Sequence, residues 1–184
     1  MFCGSSSGFD PAFAEAAVEV GQAIAGGGHQ MVYGGGHVGL MGIVADAVLN
    51  GGGSVTGVIT EHLVGAEVAH GELTALEVTA SMHERKARMA ELSDGVIVLP
   101  GGFGTLDESF ELLTWNQLGL IAAPVVFLDV DGFFDPLFAF IDGAVRSGFI
   151  KQHHGGLAQR SAHADEAVRL ATAPPAAFAP KWIG

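Results

Sequence analysis

The sequence predicts an α/β domain with a doubly wound, mainly parallel sheet of Rossmann-like type and helices on both faces. Short apolar or β-branched runs alternate along the chain with stretches of helical character, which is the order that βαβ units produce. The runs are hydrophobic nearly throughout, as strands covered on both faces are. Glycines cluster at the ends of these runs, where they indicate turns and not a linker.

The elements are predicted in the following order. Residues 1–3 form the end of a first strand, which is either very short or preceded by native residues that the numbered chain lacks. Further strands are predicted at residues 30–33, 54–60, 75–80, 95–99 and 125–130. Helices are predicted at residues 11–25, 38–50, 83–93, 105–118, 134–147 and 164–172. Parallel strands joined by right-handed crossovers end at one edge of the sheet, where ligands bind in this fold class.

Composition favours one domain over residues 1–184 and limits the partners it can have. With 49% hydrophobic and 15% charged residues, the chain can fill a single core. The net charge of −12 repels nucleic-acid backbones and anionic membrane surfaces, so both are disfavoured as partners. An anionic ligand must then be held by backbone amides and by the few basic residues, three of which are Arg85, Lys86 and Arg88.

The expected compartment is the cytoplasm. The lone Cys3 permits no intrachain disulfide, and no secretory signal peptide is recognisable. The longest uncharged run, residues 112–128, is interrupted by polar residues and proline and is short for a membrane span. The eight histidines lack the spacing of a metal-binding motif, so no metal is expected.

Three glycine-rich turns, at residues 4–8, 34–39 and 100–105, each follow a predicted strand and precede a helix. Glycine lets the backbone approach a ligand closely, and amides at a helix N-terminus attract phosphate. The turns therefore predict an anion site that includes Gly4, Ser5 and Gly35. The second turn fits G-x-G-x-x-G but lacks the acidic residue of dinucleotide-binding folds, and no Walker motif occurs.

Glu108 has two interpretations at this stage. Thr105 and Glu108 have the spacing of a capping box, with Thr105 as the N-cap. A cap does not explain the preceding Pro-Gly-Gly-x-Gly, so the alternative is a functional carboxylate one turn above a phosphate cradle. Such a carboxylate can stabilise positive charge that develops on a sugar.

The helix predicted from His83 places Arg85 within its apolar stripe, whereas Glu84 and Arg88 form an i, i+4 pair on the solvated face. A guanidinium on the core side of a helix needs an anion. That anion is a bound phosphate or a carboxylate; the structural alternative is an ion pair with Glu108 or Glu67.

The helix predicted at residues 105–118 carries apolar residues on two faces. One face packs on the sheet. The other indicates a second subunit, because a helix that is apolar nearly all round does not lie on the surface of a monomer. We therefore expect a homodimer.

The chain contains five characteristic motifs: Cys3-Gly4-Ser5-Ser6, Tyr33-Gly34-Gly35-Gly36, Gly39-Leu40-Met41-Gly42, Met82-His83-Glu84-Arg85-Lys86-Ala87 and Pro100-Gly101-Gly102-Phe103-Gly104-Thr105-Leu106-Asp107-Glu108. Over nearly the whole chain they resemble the LONELY GUY family of cytokinin riboside 5′-monophosphate phosphoribohydrolases, proteins often labelled lysine decarboxylases. The sequence departs from the usual pattern at Phe103, Phe133 and Phe134, where the family usually has Tyr, and at Asp107, where it usually has Glu.

The resemblance implies hydrolysis of the N-glycosidic bond of AMP modified on its exocyclic amine, or of AMP itself, without metal or organic cofactor. It implies that Arg85 and Glu108 are catalytic: Glu108 stabilises the cation or activates water, and Arg85 holds the phosphate or the leaving group. The alternative is a nucleotide-binding sensor or carrier without turnover. A decarboxylase is disfavoured, because pyridoxal phosphate needs a Schiff-base lysine and only Lys86 lies near the expected site. The matching substrate-binding positions are Glu67, Lys86, Gly101, Gly102, Phe103, Gly104, Thr105, Leu106, Asp107 and Thr114.

Overall fold

The computed structural model describes residues 1–64 and 69–175, and in these ranges strands and helices alternate as predicted, except that two helices follow each other between the last two strands. The strands are β1 (Gln30–Tyr33), β2 (Ser54–Thr60), β3 (Ala75–Thr79), β4 (Val96–Val98), β5 (Val125–Leu128) and β6 (Ala158–Ser161). The helices are α1 (Pro11–Gly26), α2 (Gly39–Asn50), α3 (Glu61–Val64), α4 (Met82–Glu91), α5 (Phe103–Leu118), α6 (Asp135–Arg146), α7 (Gln152–Gly155) and α8 (Ala164–Ala171).

All strand pairs are parallel, in the orders β1-β2-β3 and β4-β5-β6. Residues 1–3 lie between the two groups. The amino group of Met1 donates to the Val32 carbonyl at 2.7 Å, and the Phe2 N–H donates to the Ile97 carbonyl at 3.0 Å. The order of neighbours is thus β3-β2-β1, residues 1–3, β4-β5-β6. The direction of winding reverses between residues 1–3 and β4, and this is where doubly wound folds bind ligands.

Helices cover both faces of the sheet, as predicted. In and around β4, side chains alternate between the two faces: Ile97 and Leu99 pack with α1, α2 and α8, whereas Val96 and Val98 pack with residues of α4 and α5. This alternation is the period of two that a strand between two helix layers requires.

One strand was not predicted. β6 has the sequence Ala-Gln-Arg-Ser and is partly exposed, because it lies at the end of its group and pairs only with β5. An edge strand needs no continuous apolar run, so hydrophobicity gave no signal for it. Among the described residues, no helix has both the length and the hydrophobicity needed to cross a membrane.

The first and second glycine turns meet tightly at the carboxyl edge of the sheet. Leu40 N–H donates to the Gly4 carbonyl at 3.1 Å. Gly39 has a positive φ of +62°, and a Cβ at this position would lie 2.3 Å from the carbonyl carbon of Ser5. Only glycine satisfies both the backbone conformation and the close approach.

Candidate active site

The two residues predicted to be catalytic form an ion pair. Arg85 Nη1 donates to Glu108 Oε1 at 3.0 Å, and the side chains are only 8% and 15% exposed. Arg85 and Met89 are the buried residues of α4, which confirms that Arg85 points to the core side of that helix. The carboxylate partner foreseen for Arg85 is thus present within the protein, from α5.

Three further contacts fix the guanidinium of Arg85. Its Nε donates to the Val58 carbonyl at 2.9 Å, and its Nη1 also donates to the Met82 sulfur at 3.3 Å. Its Nη2 lies against Gly34, where a Cβ would approach it to 2.3 Å. The second glycine turn therefore begins with a residue that must lack a side chain for Arg85 to occupy this position.

Sequence reasoning did not identify Met82, Gly34 and the Val58 carbonyl as neighbours of Arg85. A signal existed for Met82, which lies three residues before Arg85 and so on the same face of α4. Nothing in the sequence indicates the Val58 carbonyl, because the contact depends on how α4 packs against β2.

The surroundings of Glu108 favour the protonated carboxyl more than water does. Burial raises the pKa of Glu108, and the positive charge of Arg85 and its hydrogen bond offset this only in part. A carboxylate with a raised pKa is a stronger base than an ordinary one. Perturbed carboxylates of this kind are frequent at catalytic sites.

The alternative interpretation of Glu108, a capping box with Thr105 as the N-cap, is wrong. α5 begins at Phe103, with Gly102 as the N-cap and no side-chain cap. Thr105 is buried inside the first turn and packs against Gly101. Glu108 lies beyond the first turn, so it cannot reach back to cap the helix. The capping interpretation of Glu108 is thereby excluded.

The uncapped start of α5 is accessible to a ligand. A Cβ added at Gly102 or at Gly104 would meet no other atom within 4 Å, and Phe103 is 94% exposed. The Gly4 N–H donates to the Pro100 carbonyl at 3.0 Å, which joins the first and third turns, while Ser5 stays exposed. All three turns thus meet at one sheet edge, as predicted, and the start of α5 offers amides and a positive dipole end to an anion.

Lys86 is held by two carboxylates. Its Nζ lies 3.2 Å from Asp107 and 3.0 Å from Glu111, and its side chain is 11% exposed. Burial alone would lower the pKa of Lys86, but the hydrogen bonds and charges of Glu111 and Asp107 together outweigh it and raise the pKa. Together with the Arg85–Glu108 pair, the site contains two cations, Arg85 and Lys86, and three carboxylates, Asp107, Glu108 and Glu111.

The remaining predicted positions are less closely associated with the ion pair. Thr114 is exposed and donates to the Phe110 carbonyl of its own helix, and Leu106 is half-buried on α5. The Gly35 carbonyl accepts from the His70 N–H at 3.2 Å, so this residue joins the second turn to the segment before β3. Glu67 lies outside the described residues.

A cluster of His37, Asp46 and His70 was not predicted. Its potential ligand atoms lie within 4.8 Å of one another. However, His70 Nδ1 accepts from the Glu72 N–H at 3.2 Å, which leaves the proton on Nε2, where it donates to Asp46 at 2.8 Å. A metal-binding histidine has the opposite arrangement, since it donates through the nitrogen that does not bind the metal. The geometry suits a hydrogen-bonded pair better than a metal site.

The fold and site define a doubly wound α/β protein in which glycine-rich turns and an uncapped helix N-terminus at the sheet edge lie beside a buried arginine–glutamate pair. A family model described as "Possible lysine decarboxylase" matches residues 41–171. A rice (Oryza sativa subsp. japonica) protein named "Probable cytokinin riboside 5′-monophosphate phosphoribohydrolase LOGL9" is 51% identical over 154 residues, which are 84% of this chain and 68% of that protein. The Arabidopsis thaliana "Cytokinin riboside 5′-monophosphate phosphoribohydrolase LOG7" is 45% identical over 169 residues, 92% of this chain and 78% of that protein. The chain belongs to the LONELY GUY family.

Solved structures share the fold at lower identity. The molybdenum cofactor binding protein from Rippkaea orientalis has a TM-score of 0.68 at 21% identity and covers 91% of both chains. The Moco carrier protein from Chlamydomonas reinhardtii has a TM-score of 0.67, also at 21% identity, over 91% of this chain and 90% of that one. These similarities support the Rossmann-like fold and nothing further.

Proposed function

We propose that this protein is an N-glycosidase that hydrolyses cytokinin riboside 5′-monophosphates to free base and ribose 5-phosphate. The names of its family relatives support this substrate class. The observation in the structure that carries the proposal is the buried ion pair of Arg85 and Glu108 beside the uncapped N-terminus of α5. A phosphate bound at that N-terminus brings the ribose of the same nucleotide close to Glu108.

In the proposed reaction, a water molecule adds its hydroxyl to the anomeric carbon of the ribose. The bond from this carbon to the base nitrogen breaks, its electron pair goes to the base, and the base takes up a proton from solvent, which later regains one from Glu108. The Glu108 carboxylate accepts the proton of the water and stabilises the positive charge on the ribose. Its raised pKa makes it a better base for this step.

The contacts of Arg85 suggest which of its two possible roles it has. Its Nε and Nη1 already donate to three protein acceptors, and Nη2 faces Gly34. We therefore assign Arg85 to holding and orienting Glu108, and we assign the phosphate to the amides of the third turn. Lys86 contributes little charge to phosphate binding, because Asp107 and Glu111 neutralise it.

The surroundings of Lys86 also argue against the decarboxylase label. A Schiff base with pyridoxal phosphate requires an unprotonated lysine amine. The two carboxylates that raise the pKa of Lys86 keep its amine protonated.

The activity is tested by incubating the protein with AMP and with isopentenyladenosine monophosphate and measuring free base and ribose 5-phosphate by chromatography. We expect release of base, and the ratio of the two rates gives the preference for the substituent. Binding of both nucleotides with no base formed would instead support the sensor or carrier. The Glu108→Gln protein is the control for contaminating hydrolases.

We further propose that the protein acts in the cytoplasm as a homodimer. The support for the dimer is a mostly apolar groove lined by residues of α5, α6 and the segment 150–158. Phe140 and Phe149, which precede the lining residues Ile141 and Ile150 in sequence, are 66% and 88% exposed. Exposed apolar surface of this kind is typical of subunit contacts. Light scattering at micromolar concentration tests this, and Phe149→Glu is expected to shift a dimer towards monomer. The groove is lined by Phe110, Leu113, Gln117, Ile141, Ile150 and Leu157.

A further inference from the structure

Met82 contacts the guanidinium that holds Glu108. Its sulfur accepts from Arg85 Nη1 at 3.3 Å, and the same nitrogen donates to Glu108 Oε1 at 3.0 Å. A thioether is a weak acceptor, so it leaves most of the hydrogen-bonding strength of Nη1 to the carboxylate. Nη1 carries two hydrogens, one for each acceptor, so a stronger acceptor at the position of the sulfur would pull the nitrogen towards Met82 and lengthen its bond to Glu108.

Met82 is also the most exposed methionine of the chain. The chain has five methionines, all of them within the described residues. Met82 is 42% exposed, whereas the other four are between 2% and 9% exposed. Exposure is one of the main factors that decide which sulfur in a protein is oxidised. The most exposed methionine is therefore the one in contact with the proposed active site.

We propose that Met82 is an oxidation-sensitive positioning residue, whose conversion to the sulfoxide by a hydroperoxide lowers the rate of base release. In this step the sulfur is oxidised and the peroxide is reduced. The peroxide O–O bond breaks, one oxygen becomes bonded to the sulfur, and the other leaves as water or an alcohol. The proposal rests on the proposed function, since its main effect is on turnover.

The loss of rate follows from the acceptor strength of the new oxygen. A sulfoxide is polar and accepts hydrogen bonds strongly, unlike a thioether. It draws Arg85 Nη1 away from Glu108, while the bond from Arg85 Nε to the Val58 carbonyl keeps the rest of the guanidinium in place. Glu108 then loses the partner that orients it. The phosphate contacts at the start of α5 do not change, so kcat falls more than KM rises.

The other sulfur atoms are poor competitors for the oxidant. Met89 lies on the same helix but is 3% exposed. Cys3 is buried, and burial raises the pKa of its thiol to about 12, so the reactive thiolate is scarce at neutral pH. Met89 is thus a matched internal control, and reversal by methionine sulfoxide reductases distinguishes a thioether from a thiol product.

The test is limited oxidation of the enzyme with hydrogen peroxide, followed by peptide mass mapping and steady-state kinetics. We expect one added oxygen on the Met82 peptide, a fall in kcat of about tenfold in proportion to it, and little change in KM. Treatment with the sulfoxide reductases MsrA and MsrB should restore kcat. Peroxide treatment should not change kcat of the Met82→Leu variant from its value before treatment. The Met89→Leu variant should lose rate on treatment, as the wild type does.

Either of two results would overturn the proposal: full oxidation of Met82 without loss of kcat, or equal loss of rate in Met82→Leu. If the untreated enzyme releases no base, it is the proposed function that fails. The proposal is then judged from the Arg85 Nη1 resonance in protein labelled with ¹⁵N-arginine, assigned with Arg85→Lys. A shift of that resonance on oxidation supports it, and an unchanged resonance overturns it.

Discussion

Two arginines lie three residues apart on α4 in opposite surroundings. Arg85 is buried, and its acceptors come from β2, α5 and its own helix. The side chain of Arg88 is 40% exposed and pairs with Glu77 of β3 at 2.7 Å and with Glu91 at 3.2 Å. Both have a carboxylate partner within hydrogen-bonding distance, so an ion pair alone does not distinguish a site from a surface. The difference is that burial perturbs Glu108, the partner of Arg85.

The electrostatic consequences differ between the two pairs. The hydrogen bond from Arg88 lowers the pKa of Glu77, as expected of a surface pair. The pKa of Glu108 is raised despite Arg85, because burial dominates. The Arg88 pair therefore keeps its carboxylate ionised, whereas the Arg85 pair holds a carboxylate that can exchange a proton. Variants of the two pairs should differ accordingly.

The largest expected effect is that of Glu108→Gln on turnover. The amide keeps the shape of the side chain but cannot accept a proton or stabilise a cation, so kcat should fall by about 100-fold or more. Rates of base release from isopentenyladenosine monophosphate measure this. Near-normal turnover in the folded variant would contradict the catalytic role of Glu108.

Removing Arg85 should reduce turnover more than binding. In Arg85→Ala, Glu108 loses its partner, so kcat should fall by about 100-fold, whereas KM should change little if the phosphate is bound at the start of α5. Arg85→Lys keeps the charge but loses the planar geometry, and it should recover only part of the rate. A large rise in KM with unchanged kcat would instead assign Arg85 to the phosphate.

Gly34→Ala tests whether the position of the guanidinium matters. The added methyl group would approach Arg85 Nη2 to 2.3 Å, so the guanidinium must shift, and we expect kcat to fall by about tenfold. Gly26→Ala is the matched control, because it adds the same methyl group at the end of α1 with no atom within 4 Å. The control should keep wild-type turnover. Equal activity of the two variants would show that the rate does not depend on the close contact.

The raised pKa of Glu108 also predicts how stability depends on pH. A carboxyl whose pKa is higher in the folded than in the unfolded protein stabilises the fold below its unfolded pKa, and this contribution is lost as pH rises through the folded pKa. Melting temperatures of wild type and Glu108→Gln, compared from pH 4 to pH 8, measure it. The wild type should lose stability relative to the variant as pH rises. A relative gain would mean that Arg85 outweighs burial.

Helical periodicity predicted the contrast between the arginines but not their partners. It placed Arg85 on the core side of α4 and Arg88 on the solvated side, and both placements are confirmed. The predicted pair of Glu84 with Arg88 is wrong. Glu84 accepts from the Ala80 N–H and donates its own N–H to the Ser81 hydroxyl at the start of α4. Arg88 pairs with Glu77 because β3 lies alongside α4, a tertiary contact that spacing along one helix does not encode.

The same limit applies at the third turn. The Thr-x-x-Glu pattern is present at residues 81–84 in the form Ser-x-x-Glu and again at residues 105–108, but only the first makes side-chain caps. At the second, α5 begins two residues earlier, at Phe103, and Thr105 is buried against Gly101. Residue types predicted an anion site at this turn. The helix starts just after a backbone contact between Gly4 and Pro100, which lie far apart in sequence and which helical spacing alone does not encode.

The smallest expected effect is that of Arg88→Ala, and it completes the comparison. This change removes two ion pairs, numerically as many as Lys86 makes, but they lie on an exposed face where solvent screens them and long side chains lose entropy on pairing. We therefore expect kcat and KM of the wild type, and a small loss of thermal stability that diminishes at high salt. Steady-state kinetics and melting curves at low and high salt measure both. A fall in kcat close to that of Arg85→Ala would show that the contact of Arg88 with Glu77 influences the position of Arg85 through α4, the helix that carries both arginines. Unchanged turnover in Arg88→Ala beside a large loss in Arg85→Ala would show that function at α4 depends on where the charge is buried and not on how many ion pairs the helix makes.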